Sequence, residues 1–204
     1  MAGNIGVGKS SLTRLLSDRY RLEPIYESVD ENPYLPDFYR DMPRWAFHSQ
    51  MFFLAERLRQ HLRQVNPGER VIQDRTIYED AAVFARALWR DGVMNDRDHE
   101  SYRRMYEAIA ATLRPPDLLV YLRASVPTLR ARIALRGRGY ESDIAESYLE
   151  RLNELYDAFV SEYELSRVVV VPADDLDFVG SAADLRRTFA LLEPLGLVPP
   201  LVRS

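Results

Sequence analysis

The 204-residue chain has no cysteine, and its 27 basic residues include a single lysine, Lys9. The first absence excludes a disulfide, a thiolate nucleophile and a cysteine-ligated zinc site. The three histidines, His48, His61 and His99, show no ligand spacing and read as ordinary core or surface residues. No apolar run reaches membrane-spanning length, and no signal peptide is read ahead of the first motif, so a cytoplasmic location is expected and a membrane partner is not. Excess positive charge is lacking too. The net charge is −4 and the pI is near 5.5, which argues against nucleic acid as a partner, since that needs a cationic surface. Repeats, low-complexity tracts and linkers are absent. With 47% hydrophobic and 28% charged residues, residues 1–204 read as one domain with a sizeable core.

The lone lysine lies inside Gly3-Asn4-Ile5-Gly6-Val7-Gly8-Lys9-Ser10, followed by Ser11. This fits G-x-x-x-x-G-K-S/T, the phosphate-binding P-loop over residues 3–10. Its glycines let backbone N–H groups turn inward around phosphates at a helix N-terminus. The other 26 basic residues are arginine. A compact ammonium on a flexible stem follows β- and γ-phosphates where a rigid planar guanidinium fits less well. Ser10 would offer its hydroxyl to Mg²⁺. The alternative, a chance glycine-rich turn, is disfavoured because Ser11-Leu12-Thr13-Arg14-Leu15-Leu16 continues at once as an amphipathic helix. A P-loop ought to follow a buried strand, yet only Met1 and Ala2 precede Gly3. Either the first strand is a stub or the recorded start is a few residues late; the second is the favoured expectation.

Four further strands are read at 22–27, 70–74, 118–123 and 168–172. The last two are continuous apolar runs, as parallel strands covered on both faces require. Helical patterns lie between them at 44–65, 80–88, 98–113, 126–136, 144–165 and 181–193. The expected fold is therefore α/β, a doubly wound, parallel five-stranded sheet whose first strand is possibly truncated. Ligands in such sheets sit beyond the carboxyl ends of the strands. Glu27 and Asp74-Arg75 fall there; Glu23 is a weaker candidate. Residues 196–204 read as a tail.

Four segments narrow the reading: 27–35 (Glu-Ser-Val-Asp-Glu-Asn-Pro-Tyr-Leu), 38–50 running on to Arg57, 73–80 (Gln-Asp-Arg-Thr-Ile-Tyr-Glu-Asp) with Phe84 beyond, and 132–141. With the P-loop, this ordered set resembles the deoxynucleoside kinase family, and within it the bacterial deoxyadenosine/deoxyguanosine kinases, over nearly the whole chain. The resemblance implies a P-loop kinase fold, ATP as phosphoryl donor, Mg²⁺, a small-molecule deoxynucleoside substrate and a homodimer. It makes Glu27 the general base for the 5′-hydroxyl and Asp74 the metal-organising carboxylate. Arg75 would lie beside Glu27 and the transferred phosphate. Thr76 departs mildly from the family's serine but keeps the hydroxyl. Arg132 and Arg136, four apart on one helix face, with Arg138 after Gly137, match a helical lid over about 132–141 that closes on the donor phosphates. Glu141 matches the lid carboxylate that meets the deoxyribose, and Tyr39 the phenol that bonds its 3′-hydroxyl.

Helical spacing adds a candidate base pocket. Gln50 and Arg57 are seven apart with Phe53 near them; Asp80 and Phe84 are four apart on another helix. The amide and the Asp–Arg pair supply donors and acceptors for a base edge, and Phe84 supplies a ring for stacking. The bland alternative is a core aromatic stripe with a buried ion pair. A carboxylate accepts from the exocyclic amine of adenine, guanine or cytosine, and thymine has none. The expected activity is 5′-phosphorylation of deoxyadenosine or deoxyguanosine in nucleotide salvage. Deoxycytidine is the nearest alternative; a nucleoside monophosphate kinase and a non-catalytic nucleotide-binding relative are weaker ones.

Overall fold

The computed structural model describes residues 1–27, 31–141 and 144–193. Residues 28–30 of the second motif and the tail expected at 196–204 lie outside the described residues.

The strands are β1 (Ala2–Gly3), β2 (Glu23–Ile25), β3 (Val71–Gln73), β4 (Leu118–Arg123) and β5 (Arg167–Pro172). All pairings are parallel. The ladders divide into a three-stranded sheet in the order β1-β4-β5 and a two-stranded sheet β2-β3. The expectation was one five-stranded sheet. The difference has a local cause: β1 has only two residues, and both pair with β4 at Tyr121 and Leu122. Only Met1 meets β3, where its ammonium donates to the Gln73 carbonyl (2.7 Å) and its carbonyl accepts from the Arg75 N–H (3.1 Å). Those two bonds bridge the sheets and set the spatial order β2-β3-β1-β4-β5.

Alternate residues of β4 enter different cores. Val120 and Leu122 pack with Leu12, Leu16, Leu129 and Phe189, while Leu119 and Tyr121 pack with Leu54, Tyr102, Leu152 and Tyr156. Helices α1 (Lys9–Tyr20), α7 (Val126–Arg136) and α9 (Ala182–Leu192) thus cover one face, and α3 (Met42–Gln60), α6 (Asp96–Ala110) and α8 (Glu146–Ser161) the other. Two-sided burial is why β4 is apolar from Leu118 to Leu122. The run at 168–172 is read the same way, but β5 is an edge strand: Val171 is fully buried while Val170 is 46% exposed.

Helix bounds follow local chemistry. Asp41 accepts from the Arg44 N–H at the start of α3, and Pro43 occupies its first turn, both recognised start signals. Gly137, at φ 69°, closes α7 by bonding its N–H to the Ile133 carbonyl. A short helix, α2 (Leu35–Arg40), was not expected. The helix read at 80–88 begins earlier. It runs from α4 (Ile77–Glu79) through a π-helical segment, Asp80–Ala85, into α5 (Arg86–Arg90). Single π turns inside helices often mark functional positions.

Between β3 and β4, at their amino ends, a cleft of about 1210 Å³ is lined by Met1, Leu16, Leu22, Ile72, Leu118 and Val120 among others. The Tyr20 hydroxyl, His61 Nδ1 and Gln73 Nε2 border it buried and without a hydrogen-bond partner.

Candidate active site

The P-loop sits at the opposite, carboxyl end of the strands. Gly3, Gly6 and Gly8 have φ of 145°, 80° and 104°, values L-residues rarely adopt. Space forbids a side chain at two of them in any case. A Cβ on Gly3 would meet the Leu122 carbonyl at 2.7 Å, and one on Gly6 the Leu129 carbonyl at 3.0 Å and Ile133 Cγ1 at 2.6 Å. Asn4 fixes the loop from below: its amide donates to the Leu149 carbonyl (2.9 Å) and Asn153 (2.8 Å), and its oxygen accepts from the Ile5 N–H (2.7 Å). α1 starts at Lys9 without a side-chain cap, so N–H groups of its first turn, including those of Ser10 and Ser11, are available to an anion.

Lys9 folds back into its own loop, donating to the carbonyls of Gly3 (2.8 Å) and Asn4 (3.0 Å). Burial, then the guanidinium of Arg75, lower its pKa to about 8. The ammonium is therefore poised against other cations and would gain from phosphate oxygens. Ser10 donates its hydroxyl to Asp74 Oδ2. Asp74 is 1% exposed and its Oδ1 has no partner. A buried orphan carboxylate oxygen beside a hydroxyl fits a hard divalent cation. No group of three or more His, Cys, Asp or Glu that could hold a metal occurs among the described residues. A cation here would complete its shell with phosphate oxygens and water, the habit of Mg²⁺.

Glu27 follows β2 at the head of an ion-pair chain. It accepts from Arg57 Nη2 (2.7 Å) and Arg75 Nε (3.0 Å). Burial would raise its pKa, but Arg75, Arg57 and Lys9 override that and hold it at about 2. Arg75 has φ 66°, an uncommon backbone state for a residue with a side chain. Its guanidinium lies over the Phe84 ring (4.2 Å) and donates to the Tyr156 hydroxyl (3.3 Å). Arg57 also donates from Nε to Asp80 Oδ2 (3.1 Å). Burial pushes Asp80 up to about 6 despite Arg57 and Arg75.

Glu27, Arg75 and Asp80 border a cavity. Of the residues expected to bind substrate, Glu27, Tyr39, Gln50, Phe53, Arg75, Asp80, Phe84 and Glu141 line it, together with Ile5, Lys9, Arg136 and Arg138. Gln50 is 5% exposed and its Oε1 has no partner. Glu141 pairs with Arg136 and, at 3.6 Å, with Arg138. Gly139–Glu141 form a 3₁₀ turn after α7.

Two expected residues are placed differently. Arg57 stands behind the cavity wall, 1% exposed, with its guanidinium engaged by Glu27 and Asp80 instead of facing a base edge. Helical spacing put it on the face that meets Asp80. Arg132, on α7, is engaged within the protein. Its guanidinium donates to the carbonyls of Val7 (2.9 Å), Ala173 (2.7 Å) and Leu176 (3.2 Å). It holds the P-loop backbone where a phosphate-facing role was expected. Glu23 pairs with Val71 in β2, exposed and away from the cavity.

Sequence reasoning overlooked four contributors. Tyr148 and Ser49 line the cavity, and Asn32 donates to the Ser49 hydroxyl (3.0 Å). The largest omission is Glu79. Fully buried, it accepts from the Gly3 N–H (3.3 Å), the Tyr156 hydroxyl (2.9 Å) and the Thr76 N–H (2.9 Å). The signal was present as Thr76-x-x-Glu79, a capping box.

Comparison with known proteins agrees with this arrangement. The family model for deoxynucleoside kinases matches residues 1–190. A deoxyadenosine/deoxycytidine kinase from Bacillus subtilis (strain 168) is 37% identical over 181 residues, 88% of this chain and 83% of that protein. A deoxyguanosine kinase from the same organism is 34% identical over 203 residues, 95% and 94% of the two chains. A solved structure of deoxyadenosine kinase from M. mycoides with bound dATP superposes with a TM-score of 0.82 at 31% identity, covering 94% of this chain and 96% of that one. The chain belongs to the deoxynucleoside kinase family.

Proposed function

We propose that this kinase transfers the γ-phosphoryl group of ATP, with Mg²⁺, to the 5′-hydroxyl of a purine deoxynucleoside. The observation that carries the reading is the placement of Glu27: an ionised carboxylate gripped by Arg57 and Arg75 on one wall of a cavity whose other walls hold Lys9 and the arginines after α7.

In this reading the hydroxyl donates to Glu27, which orients it for in-line attack and takes its proton as the bond to phosphorus forms. A carboxylate near pKa 2 is a weak base. That is sufficient where the transition state is loose and the proton departs late. The departing phosphoryl oxygens face Lys9 on one side and Arg136 and Arg138 on the other, cations already in place when charge shifts toward the leaving group. Mg²⁺, held by Ser10 and Asp74, would supply charge neutralisation between the donor phosphates. Release of Glu141 from Arg136 and Arg138 when anionic phosphates arrive would free it to meet the sugar, with Tyr39 on the 3′-hydroxyl.

Base preference is supported by the orphan Gln50 Oε1, an acceptor that needs a donor, and by the Asp80 carboxylate on the cavity wall. An exocyclic amine meets them. Deoxycytidine carries one as well, and the name of the first B. subtilis relative joins deoxyadenosine with deoxycytidine, which makes it the second reading. The enzyme is further proposed, on the family resemblance, to work as a single-domain subunit of a cytoplasmic homodimer in nucleotide salvage. No helix among the described residues is long and apolar enough to cross a membrane.

A coupled assay with ATP and each deoxynucleoside tests this. Deoxyadenosine or deoxyguanosine should show the highest kcat/KM and thymidine a value lower by about 10²-fold or more, because it leaves buried polar groups unpaired. Asp80→Ala should narrow that gap more than it slows the best substrate. Thymidine as best substrate would overturn the pocket assignment.

A further inference from the structure

Among the described residues, Glu79 carries a buried carboxylate near the site that the chemistry above does not use. It ends α4 with 0% exposure. One oxygen, Oε2, accepts from the N–H and hydroxyl of Thr76 (2.9 and 3.3 Å), which closes the helix cap. The other, Oε1, points away from the helix. It accepts from the Gly3 N–H at the head of the P-loop (3.3 Å) and from the Tyr156 hydroxyl on α8 (2.9 Å). Tyr156 in turn accepts from Arg75 Nη1 (3.3 Å), and Arg75 Nε donates to Glu27 (3.0 Å). An unbroken chain of polar contacts therefore runs from the donor-phosphate loop to the proposed base, through Gly3, Glu79, Tyr156, Arg75 and Glu27. Charge follows the same path. The buried cations Lys9, Arg57 and Arg75 are surrounded by Glu27, Asp80 and Glu79, and Glu79 acts on both Lys9 and Arg75.

A capping box alone needs only Oε2. A helix cap also does not require the carboxylate to be buried under α8, where an unpaired charge would be costly. The second oxygen is better accounted for by what it holds. Arg75 starts from an uncommon backbone state at φ 66°, so its side chain depends on distal partners to keep one geometry. Tyr156 is such a partner, and Tyr156 is itself oriented by Glu79.

We propose that Glu79, acting through Tyr156, is a positioning residue for phosphoryl transfer: it locks the Arg75 guanidinium onto Glu27 and fixes the first amide of the P-loop in the same frame. The inference rests on the kinase reading with Glu27 as the base. Glu27→Gln reports on that base assignment, whereas the variants below report on the relay, and all are assayed with whichever deoxynucleoside the wild type turns over fastest.

Tyr156→Phe is the cleanest probe, because it removes one hydroxyl and keeps the ring stacked on Tyr121. It should lower kcat about tenfold with both KM values within about twofold of wild type, the pattern of an interaction needed in the transition state. Its Tm should change by only a few degrees. Glu79→Gln should lower kcat about 10²-fold and also raise the KM for ATP, because the amide cannot serve Thr76, Gly3 and Tyr156 together. The double variant should match Glu79→Gln within about twofold, since both act along one path. If Glu79→Gln does not fold, the cycle of Tyr156→Phe with Arg75→Lys replaces it, with the same expected non-additivity. Near-normal kcat in Tyr156→Phe, or a double variant whose losses multiply, would reduce Glu79 to a helix cap and overturn the proposal.

Discussion

The two ends of the parallel sheet are built on opposite terms. At the carboxyl end, Arg57 and Arg75 are almost fully buried yet have carboxylate, hydroxyl or ring partners on several sides. At the amino end the charged group is the chain's own ammonium, bonded to the Gln73 carbonyl beside a cleft of mixed lining; unpartnered buried polar atoms occur at both ends, Asp74 Oδ1 and Gln50 Oε1 at the first and the Tyr20 hydroxyl, His61 Nδ1 and Gln73 Nε2 at the second. Buried charge is costly and tolerable only when matched, so the first end shows the pairing a reaction site requires.

The comparison breaks most sharply on Glu27. Glu27→Gln keeps the size but cannot take a proton, and kcat should fall about 10²–10⁴-fold with the substrate Kd nearly unchanged, the usual contribution of general acid–base catalysis. Near-normal turnover would remove Glu27 from the chemistry and make Asp74 the better candidate.

Next comes the pH dependence of stability, where the two ends give slopes of the same sign in different pH windows. Glu27 is held at about 2 against an ordinary 4.5. The unfolded chain takes up the proton first on acidification. Its stabilisation is therefore present in full above pH 4.5 and lost as pH falls toward 2, at most roughly 3 kcal/mol for such a shift. Glu27→Gln should flatten that acid limb in denaturant titrations. The Met1 ammonium gives a slope of the same sign at higher pH, as a penalty on the folded state that is relieved when the proton leaves. Burial lowers its pKa from 8.0, so the unfolded chain binds more protons just below pH 8. Stability should rise as pH climbs to 8 and level off above it.

A smaller effect sharpens the contrast at the amino end. Placing about four apolar residues ahead of Met1 converts the ammonium into an amide that can make the same bond to Gln73 without a charge. It also gives β3 and β4 a strand to pair with in the cleft. The Tm should rise by a few degrees, and the slope just below pH 8 should vanish. An extended chain no more stable than the 204-residue one would show that the stub suffices.

Much of the carboxyl end was legible because its constraints are local. The P-loop glycines, the α7 boundaries and the two-sided burial of β4 follow from spacing and residue type alone. Features that depend on distant partners were not. Arg132 and Arg136 share a helix face by spacing, but Arg132 is captured by three backbone carbonyls from other segments. The Arg57–Asp80 pair was legible from helical periodicity; that Glu27 would claim the same guanidinium depends on how β2 meets α3. The split of the sheet turns on a single residue, Met1, bonding to β3 where a ladder was expected.

The chain offers one direct measurement of its central claim, that the loop at Lys9 holds donor phosphates. Lys9 and the Met1 ammonium are the only primary amines in the sequence, the first bonded within the P-loop and the second to the Gln73 carbonyl. With its pKa lowered to about 8, Lys9 has a substantial neutral, reactive fraction at pH 8. Labelling with an amine-reactive reagent, read by peptide mass, should be strongly suppressed at Lys9 by ATP with Mg²⁺, little affected there by deoxynucleoside alone, and unchanged at Met1 in both cases. A ratio of Lys9 to Met1 labelling that is the same with and without ATP would contradict the assignment of this loop as the phosphate site, and with it the proposed reaction.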